Sequence, residues 1–128
     1  MMIVTAGIIE REGKILIAQR PANAHRALEW EFPGGKLEPG EQPEECLKRE
    51  LREELGLNVE VEDIYKVVLH RYEDREVLLL CYRCQYAGGE PEAKEGQDFR
   101  WVTVEQMGAY DFSAADIPVL EKLHRERT

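Results

Sequence analysis

Apolar residues recur along this chain at two spacings, and the change from one to the other predicts its elements. Ile3–Ile9 and Lys14–Ala18 are short β-prone runs divided by Glu10-Arg11-Glu12-Gly13, a pattern that reads as a hairpin. Residues 21–29 form a polar loop, and Trp30-Glu31-Phe32 reads as a short strand ended by Pro33-Gly34-Gly35. From Pro43 the spacing turns helical: Leu47, Leu51 and Leu55 fall at i, i+4 and i+8, and Gly56 is a natural terminator. Val59–Val61, Tyr65–Leu69, Glu76–Tyr86 and Phe99–Val102 read as strands, with Gly88-Gly89 closing the third. Ala114–Arg127 reads as a closing helix with Asp116 in its first turn, early enough for Pro118 to be tolerated. Strand pairs, a helix, more strands and a last helix predict an α/β sandwich with a mixed sheet. No repeat or linker interrupts the pattern, so residues 1–128 are expected to form a single domain.

Composition narrows the setting. A chain of 128 residues that is 43% apolar can bury a real core. No stretch approaches the ~18 consecutive apolar residues of a membrane span, and Met1-Met2-Ile3-Val4-Thr5 lacks the basic flank and cleavage site of a signal peptide. A net charge of −9 opposes binding to a nucleic-acid polymer. It does not oppose a small anionic substrate that arrives with Mg²⁺. Three cysteines, Cys46, Cys81 and Cys84, are an odd number, and a reduced, cytoplasmic setting is expected. Cys81 and Cys84 are three apart on a predicted strand, which puts them on opposite faces as structural thiols rather than a metal or redox pair.

The chemistry concentrates in Arg49-Glu50-Leu51-Arg52-Glu53-Glu54-Leu55-Gly56-Leu57. On a helix Glu50, Glu53 and Glu54 are i, i+3 and i+4 neighbours, so three carboxylates share a face beside the leucine stripe. Such crowding is unfavourable unless cations offset it, and hard oxygen donors select Mg²⁺ or Mn²⁺. A solvated acidic face paired with Arg49 and Arg52 is the competing reading. The upstream context weighs against it: Gly34-Gly35 offers exposed backbone groups, and Glu41 can interact with the helix N-terminus or orient Arg49.

Gly35, five residues, Glu41, seven residues, then Arg49-Glu50-Leu51-x-Glu53-Glu54-x-Gly56-Leu57 resembles the Nudix box at every fixed position. Gly7-Ile8-Ile9, Arg20 with His25, Glu31-Phe32-Pro33-Gly34-Gly35-Lys36, Lys94-Glu95-Gly96-Gln97 and Ala115-Asp116-Ile117-Pro118 extend the resemblance to the MutT branch over nearly the whole chain. The resemblance implies a Nudix α/β/α sandwich with a mixed β-sheet. It also implies attack of water on the β-phosphorus of a nucleoside triphosphate, giving the monophosphate and pyrophosphate. By the same resemblance, the Gly34 carbonyl, Glu50, Glu53 and Glu54 would hold the metal, and Glu95 would add a carboxylate from outside the box. Glu53 is favoured as the base that takes the proton from water, with Glu95 its competitor. Arg49 would orient Glu41 and the metal-binding helix.

The resemblance also implies substrate contacts. Arg20 would meet the phosphates, which a guanidinium can grip with two bonds, as against a surface ion pair. Arg75 would lie on the substrate side, or be solvated in a turn. His25 would belong to a loop folding over the nucleotide, or be incidental. Phe32 would wall the base pocket, or only fill the core. Asp116 would read the base, or only cap the last helix. At that position MutT itself has an asparagine, whereas Ala-Asp-Ile-Pro resembles relatives acting on cytosine nucleotides. An ionised aspartate only accepts hydrogen bonds; a protonated one also donates.

Three functions are therefore expected in order. The first is hydrolysis of an oxidised triphosphate such as 8-oxo-dGTP in nucleotide-pool sanitation. The second is hydrolysis of CTP, dCTP or a 5-substituted dCTP. The third, disfavoured by the intact box, is a non-catalytic nucleotide-binding sensor. The expected partner is a small nucleoside triphosphate, with no nucleic-acid polymer and no membrane, and the chain is expected to act as a monomer or weak homodimer.

Overall fold

Strand β1 (Met2–Arg11) organises the molecule, because it pairs with glycine-rich backbone at residues 34–36 and with the long apolar strand at residues 76–88. Its partners follow from a computed structural model, which describes every residue except His25, Gly96 and Thr128. The elements after β1 are β2 (Lys14–Gln19), β3 (Trp30–Glu31), β4 (Gly34–Lys36), α1 (Pro43–Leu55), β5 (Asn58–Arg71), β6 (Glu76–Gly88), β7 (Phe99–Val102) and α2 (Ile117–Glu126). Short 3₁₀ turns at Glu105–Ala109 and Ala114–Asp116 precede α2. The sheet runs β3-β2-β1-β6-β5, with β4 paired to β1 and β7 to β2. β1 and β6 are parallel, and the other pairs are antiparallel, so the sheet is mixed as expected.

Alternation along the strands divides the core into two layers. Ala6, Ile8, Ile15, Ile17, Leu79 and Cys81 look toward α2, which contributes Val119 and Leu123. Ile9, Leu16, Tyr82 and Cys84 look toward α1, which contributes Leu47, Leu51 and Leu55. Each of these leucines is fully buried, and such burial stabilises by about 1.5–3 kcal/mol per side chain. One helix on each face of a mixed sheet is the α/β/α sandwich. Cys81 and Cys84 lie in opposite layers, both buried and unbridged. α1 begins where the Gln42 N–H donates to the Glu45 carboxylate at 3.2 Å. It ends at Gly56, whose φ of 66° is left-handed and whose N–H donates to the Arg52 carbonyl.

The expected β1–β2 hairpin forms, pairing at Glu10–Ile15 and Arg11–Lys14, and beyond the turn β2 pairs with β7. Three other expectations needed correction. Val59–Val61 and Tyr65–Leu69 are one strand, β5, whose register against β6 shifts on either side of Ile64; these irregularities absorb the polar interruption that separates the two apolar runs. Pro33-Gly34-Gly35 does not simply end a strand: Gly34 to Lys36 forms β4, paired with Ala6, Thr5 and Val4. The last helix starts at Ile117, after a 3₁₀ turn, and Asp116 makes no capping bond with its side chain. Among the described residues no helix is long and apolar enough to cross a membrane.

The pairing of β4 explains its glycines. A Cβ on Gly34 would lie 2.0 Å from the Thr5 carbonyl oxygen, and one on Gly35 would lie 2.2 Å from the Glu50 carboxyl carbon. Gly34→Ala is expected to destabilise the fold by at least about 2 kcal/mol, because backbone must move to admit the methyl. Gly40→Ala, at a φ of 81° with nothing within 4 Å, should lose only about 1 kcal/mol through its dihedral. Urea unfolding of both variants checks the contrast, and equal losses would mean that β4 tolerates a side chain.

Candidate active site

The close approach of α1 to β4 opens a cleft of about 510 Å³. Val4 and Ala6 of β1, Gly34 and Gly35 of β4, and Glu50 and Glu54 of α1 line it on one side. Arg20, Arg26, Glu31, Phe32, Tyr72, Arg75, Glu95, Gln97, Ala115 and Asp116 are also part of its wall. The helix supplies acids where the two-glycine strand leaves room for them. Glu50 fills the space that a side chain on Gly35 would take. Burial raises the Glu54 carboxyl above the carboxylate range, and a hydrogen bond and charge from Glu50 raise it further, with Glu31 and Glu95 adding to the effect.

Arg49 holds this face from behind. Its Nε and Nη2 donate to the two oxygens of Glu41 at 2.6 and 3.0 Å, a bidentate grip. Its Nη1 donates to Glu50 at 3.0 Å and to Glu53 at 3.1 Å. The Arg49 hydrogen bond holds the Glu41 carboxyl down at about 2, helped by the Glu38 N–H. Arg49 itself lies outside the cleft, in a shallow recess with Glu38, Glu41, Glu45 and Arg52. Glu53 also stays outside the cleft wall, its side chain 54% exposed and paired with Arg49. Among the described residues, no three acidic, histidine or cysteine side chains converge closely enough to ligate one ion as they stand.

The remaining expected residues divide. Arg20 lines the cleft and donates from Nη1 to Glu31 at 3.3 Å. Phe32 is both wall and core: it lines the cleft, is 2% exposed, and packs 5.4 Å from Phe112. Arg75 lies at the rim, 40% exposed, with its Nε 3.3 Å from Asp74. Glu95 lines the cleft from an exposed loop position. His25 lies outside the described residues. Asp116 lines the cleft although it is almost completely buried, and its Oδ1 has no hydrogen-bond partner. Burial first, and the charge of Glu31 second, push its carboxyl well above the usual range.

Arg26, Glu31, Tyr72 and Gln97 are among the wall residues that the sequence did not single out as site residues. Glu31 and Gln97 stood inside motifs that had been noted, so they had a signal. Gln97 is 7% exposed and its Oε1 also has no partner. Arg26 and Tyr72 had none, because 46 positions of chain separate them.

The raised carboxyl of Asp116 has a consequence for stability. A carboxyl whose folded value lies above its unfolded one favours folding at low pH, and that contribution is lost as pH rises through the folded value. The amide of Asp116→Asn does not titrate. Its melting temperature is therefore expected to gain on wild type as pH goes from 4 to 9. A constant difference across that range, in thermal melts, would mean that folding does not raise the Asp116 carboxyl above its unfolded value.

Comparison with known proteins agrees with this geometry. The sequence model of the NUDIX domain matches residues 4–122. The chain is 39% identical to the 8-oxo-dGTP diphosphatase of Escherichia coli (strain K12), over 95% of each chain. It is 42% identical to the CTP pyrophosphohydrolase of the same organism, over 94% of this chain and 90% of that one. Its fold matches the solution structure of the E. coli ORF135 protein with a TM-score of 0.87 and 41% identity, covering 100% of this chain and 91% of the other. The crystal structure of MutT protein from Methanosarcina mazei Go1 matches with a TM-score of 0.88 and 27% identity, over 99% and 95%.

Proposed function

The chain belongs to the NUDIX domain family, and on that premise we propose that it hydrolyses a nucleoside triphosphate to the monophosphate and pyrophosphate. It is a hydrolase acting on phosphoric anhydrides, like the two E. coli relatives. In this reading residues 1–128 act as one domain, on free nucleotides, as a monomer or weak homodimer.

The residues present fit a divalent cation. Glu50 fills the space left by the missing side chain of Gly35, and the Glu54 carboxyl beside it is raised by burial first and by Glu50 second, both of which a bound cation would offset. Glu50, Glu54 and the Gly34 carbonyl would hold the ion, with Glu53 and Glu95 joining from either side. We take the ion to be Mg²⁺, with Mn²⁺ the alternative. When bound it neutralises phosphate charge and makes the phosphorus more electrophilic. Arg20, beside Glu31 on the cleft wall, would bind the phosphates. Arg49 keeps Glu50 and Glu53 in place while touching no substrate. A carboxylate takes the proton from the attacking water, and the two candidates stand in different places: Glu95 on the cleft wall, Glu53 in the grip of Arg49.

Activity is expected to require a divalent cation and to release pyrophosphate rather than orthophosphate. Of Glu53→Gln and Glu95→Gln, the variant that removes the proton acceptor should lose about 10²–10⁴-fold in kcat. Full turnover in excess chelator, or release of orthophosphate, would contradict the mechanism.

Asp116 carries the choice of substrate. A buried carboxyl held well above its usual range, with one unpartnered oxygen, offers when protonated both a donor and an acceptor, as the amide of asparagine does. That pair suits 8-oxoguanine, whose edge presents carbonyl and N–H groups, and it supports 8-oxo-dGTP hydrolysis as the first reading. Hydrolysis of CTP or a related cytosine nucleotide is the second: an acceptor oxygen suits the cytosine amino group, and the 42% identical relative is a CTP pyrophosphohydrolase. A site that hydrogen-bonds one base edge loses selectivity when its partner is removed. Asp116→Ala should therefore change the ranking of kcat/KM among 8-oxo-dGTP, dGTP, CTP and 5-methyl-dCTP. Asp116→Asn, which also offers a donor and an acceptor, should keep that ranking. If all four substrates fall by one common factor, Asp116 does not read the base.

A further inference from the structure

Arg26, in the loop after β2, and Tyr72, just beyond β5, meet at the cleft, and both line it. The Arg26 guanidinium carbon stands 3.4 Å from the centroid of the Tyr72 ring, well inside the ~6 Å at which a cation and a ring attract. Arg26 Nη2 also donates to Asp74 at 3.1 Å, so its charge is shared between a carboxylate and a ring face. The ring is held on several sides. Its hydroxyl accepts the Ala115 N–H at 3.0 Å, one residue before Asp116, and His70 meets it edge-on at 4.4 Å between centroids. The Tyr72 N–H donates to the Arg75 carbonyl at 2.8 Å, closing the turn between β5 and β6. Arg26 and Leu28 have φ values of 54° and 68°, a region that side chains seldom adopt. The loop is thus turned so that Arg26 lies over the ring rather than in water; its side chain is 23% exposed.

We propose that Arg26 and Tyr72 form a stacking wall for the nucleobase and are specificity-determining residues of this site. The inference rests on the nucleotide reading above. A guanidinium is planar and weakly hydrated, and once Asp74 and the ring share its charge it offers a flat surface to the face of a base. Its position joins it to base reading rather than to phosphate binding, because Tyr72 is bonded to Ala115, beside Asp116, and not to the Glu50–Glu54 pair. Stacking strength grows with overlap, so this wall favours purines over pyrimidines. Neither residue reaches the reacting phosphorus, so their contribution is to binding.

Calorimetry with dGMP and CMP reads binding without turnover, and steady-state kinetics with the corresponding triphosphates reads KM and kcat. Arg26→Ala and Tyr72→Leu are each expected to weaken dGMP about tenfold, and CMP by less. KM should rise in parallel, with kcat falling by less than about twofold. The double variant should bind about as weakly as the worse single one, because the two side chains act as one surface. Tyr72→Phe, which keeps the ring, should recover most of what Tyr72→Leu loses, and thermal melts establish that each variant is folded. Unchanged dGMP affinity in folded Arg26→Ala and Tyr72→Leu, or a loss confined to kcat, would overturn the stacking wall. Equal losses for dGMP and CMP would overturn the purine preference. Failure of the functional reading looks different: the wild type would bind monophosphates yet release no pyrophosphate from any triphosphate.

Discussion

Glu50 and Glu54 stand one helical turn apart, partly withdrawn from water, and their mutual repulsion is the constraint around which the neighbouring chain is built. A helix tolerates such a pair only if its surroundings supply opposite charge or a shared proton. Here Arg49 supplies the charge from outside the cleft, dividing one guanidinium among Glu41, Glu50 and Glu53. Glu41 anchors the arrangement, because the two-bond grip of Arg49 lowers its carboxyl to about 2 and keeps that pair ionic through ordinary pH. The glycines of β4 follow from the same demand. β4 can lie against β1 on one side and the Glu50 carboxyl on the other only where neither residue carries a side chain. Acidic helix, guanidinium and two-glycine strand form one device, and the cleft is the space it leaves.

How much of this could be read in the sequence depended on how local the cause was. Leu47, Leu51 and Leu55 announce α1 by spacing alone, and Gly56 ends it, because helical periodicity is a property of a few adjacent turns. The spacing of Cys81 and Cys84 separated them correctly into two layers for the same reason. β4 was hidden: Gly34-Gly35 reads as a turn, and only its pairing with Thr5 and Ala6, nearly thirty residues away, makes it a strand. β5 was divided because the acidic residues between its apolar runs resemble a loop, whereas the sheet carries them through by shifting register. In the site, Glu50 and Glu54 were legible as ligand types on one face. Which of the three box carboxylates faces the cleft was not, since helical spacing says nothing of how Arg49 draws Glu53 aside. Asp116 was legible as a candidate and not as a buried one. Arg26 and Tyr72 were beyond reach, because their contact depends on two loops meeting.

The cleft unites two problems that the chain solves in different ways. Breaking an anhydride needs concentrated negative charge offset by cations, and α1 with β4 supplies the negative part through residues fixed by a dense ionic network. Reading a base needs few groups of definite hydrogen-bonding character, and Asp116, proposed as such a group, is shifted by burial. A carboxyl in water at neutral pH only accepts; burial, and then the charge of Glu31, raise the Asp116 carboxyl well above its usual range, and when protonated it also donates. The likeness to both an 8-oxo-dGTP diphosphatase and a CTP pyrophosphohydrolase follows naturally from this division. In the proposed reading the charged end is common to both, while selectivity turns on the hydrogen-bonding character of Asp116 and the shape of the wall beside it. Changes near Asp116 that alter its burial, even without touching substrate, would then move base preference while leaving Glu50, Glu54 and Arg49 to act as before.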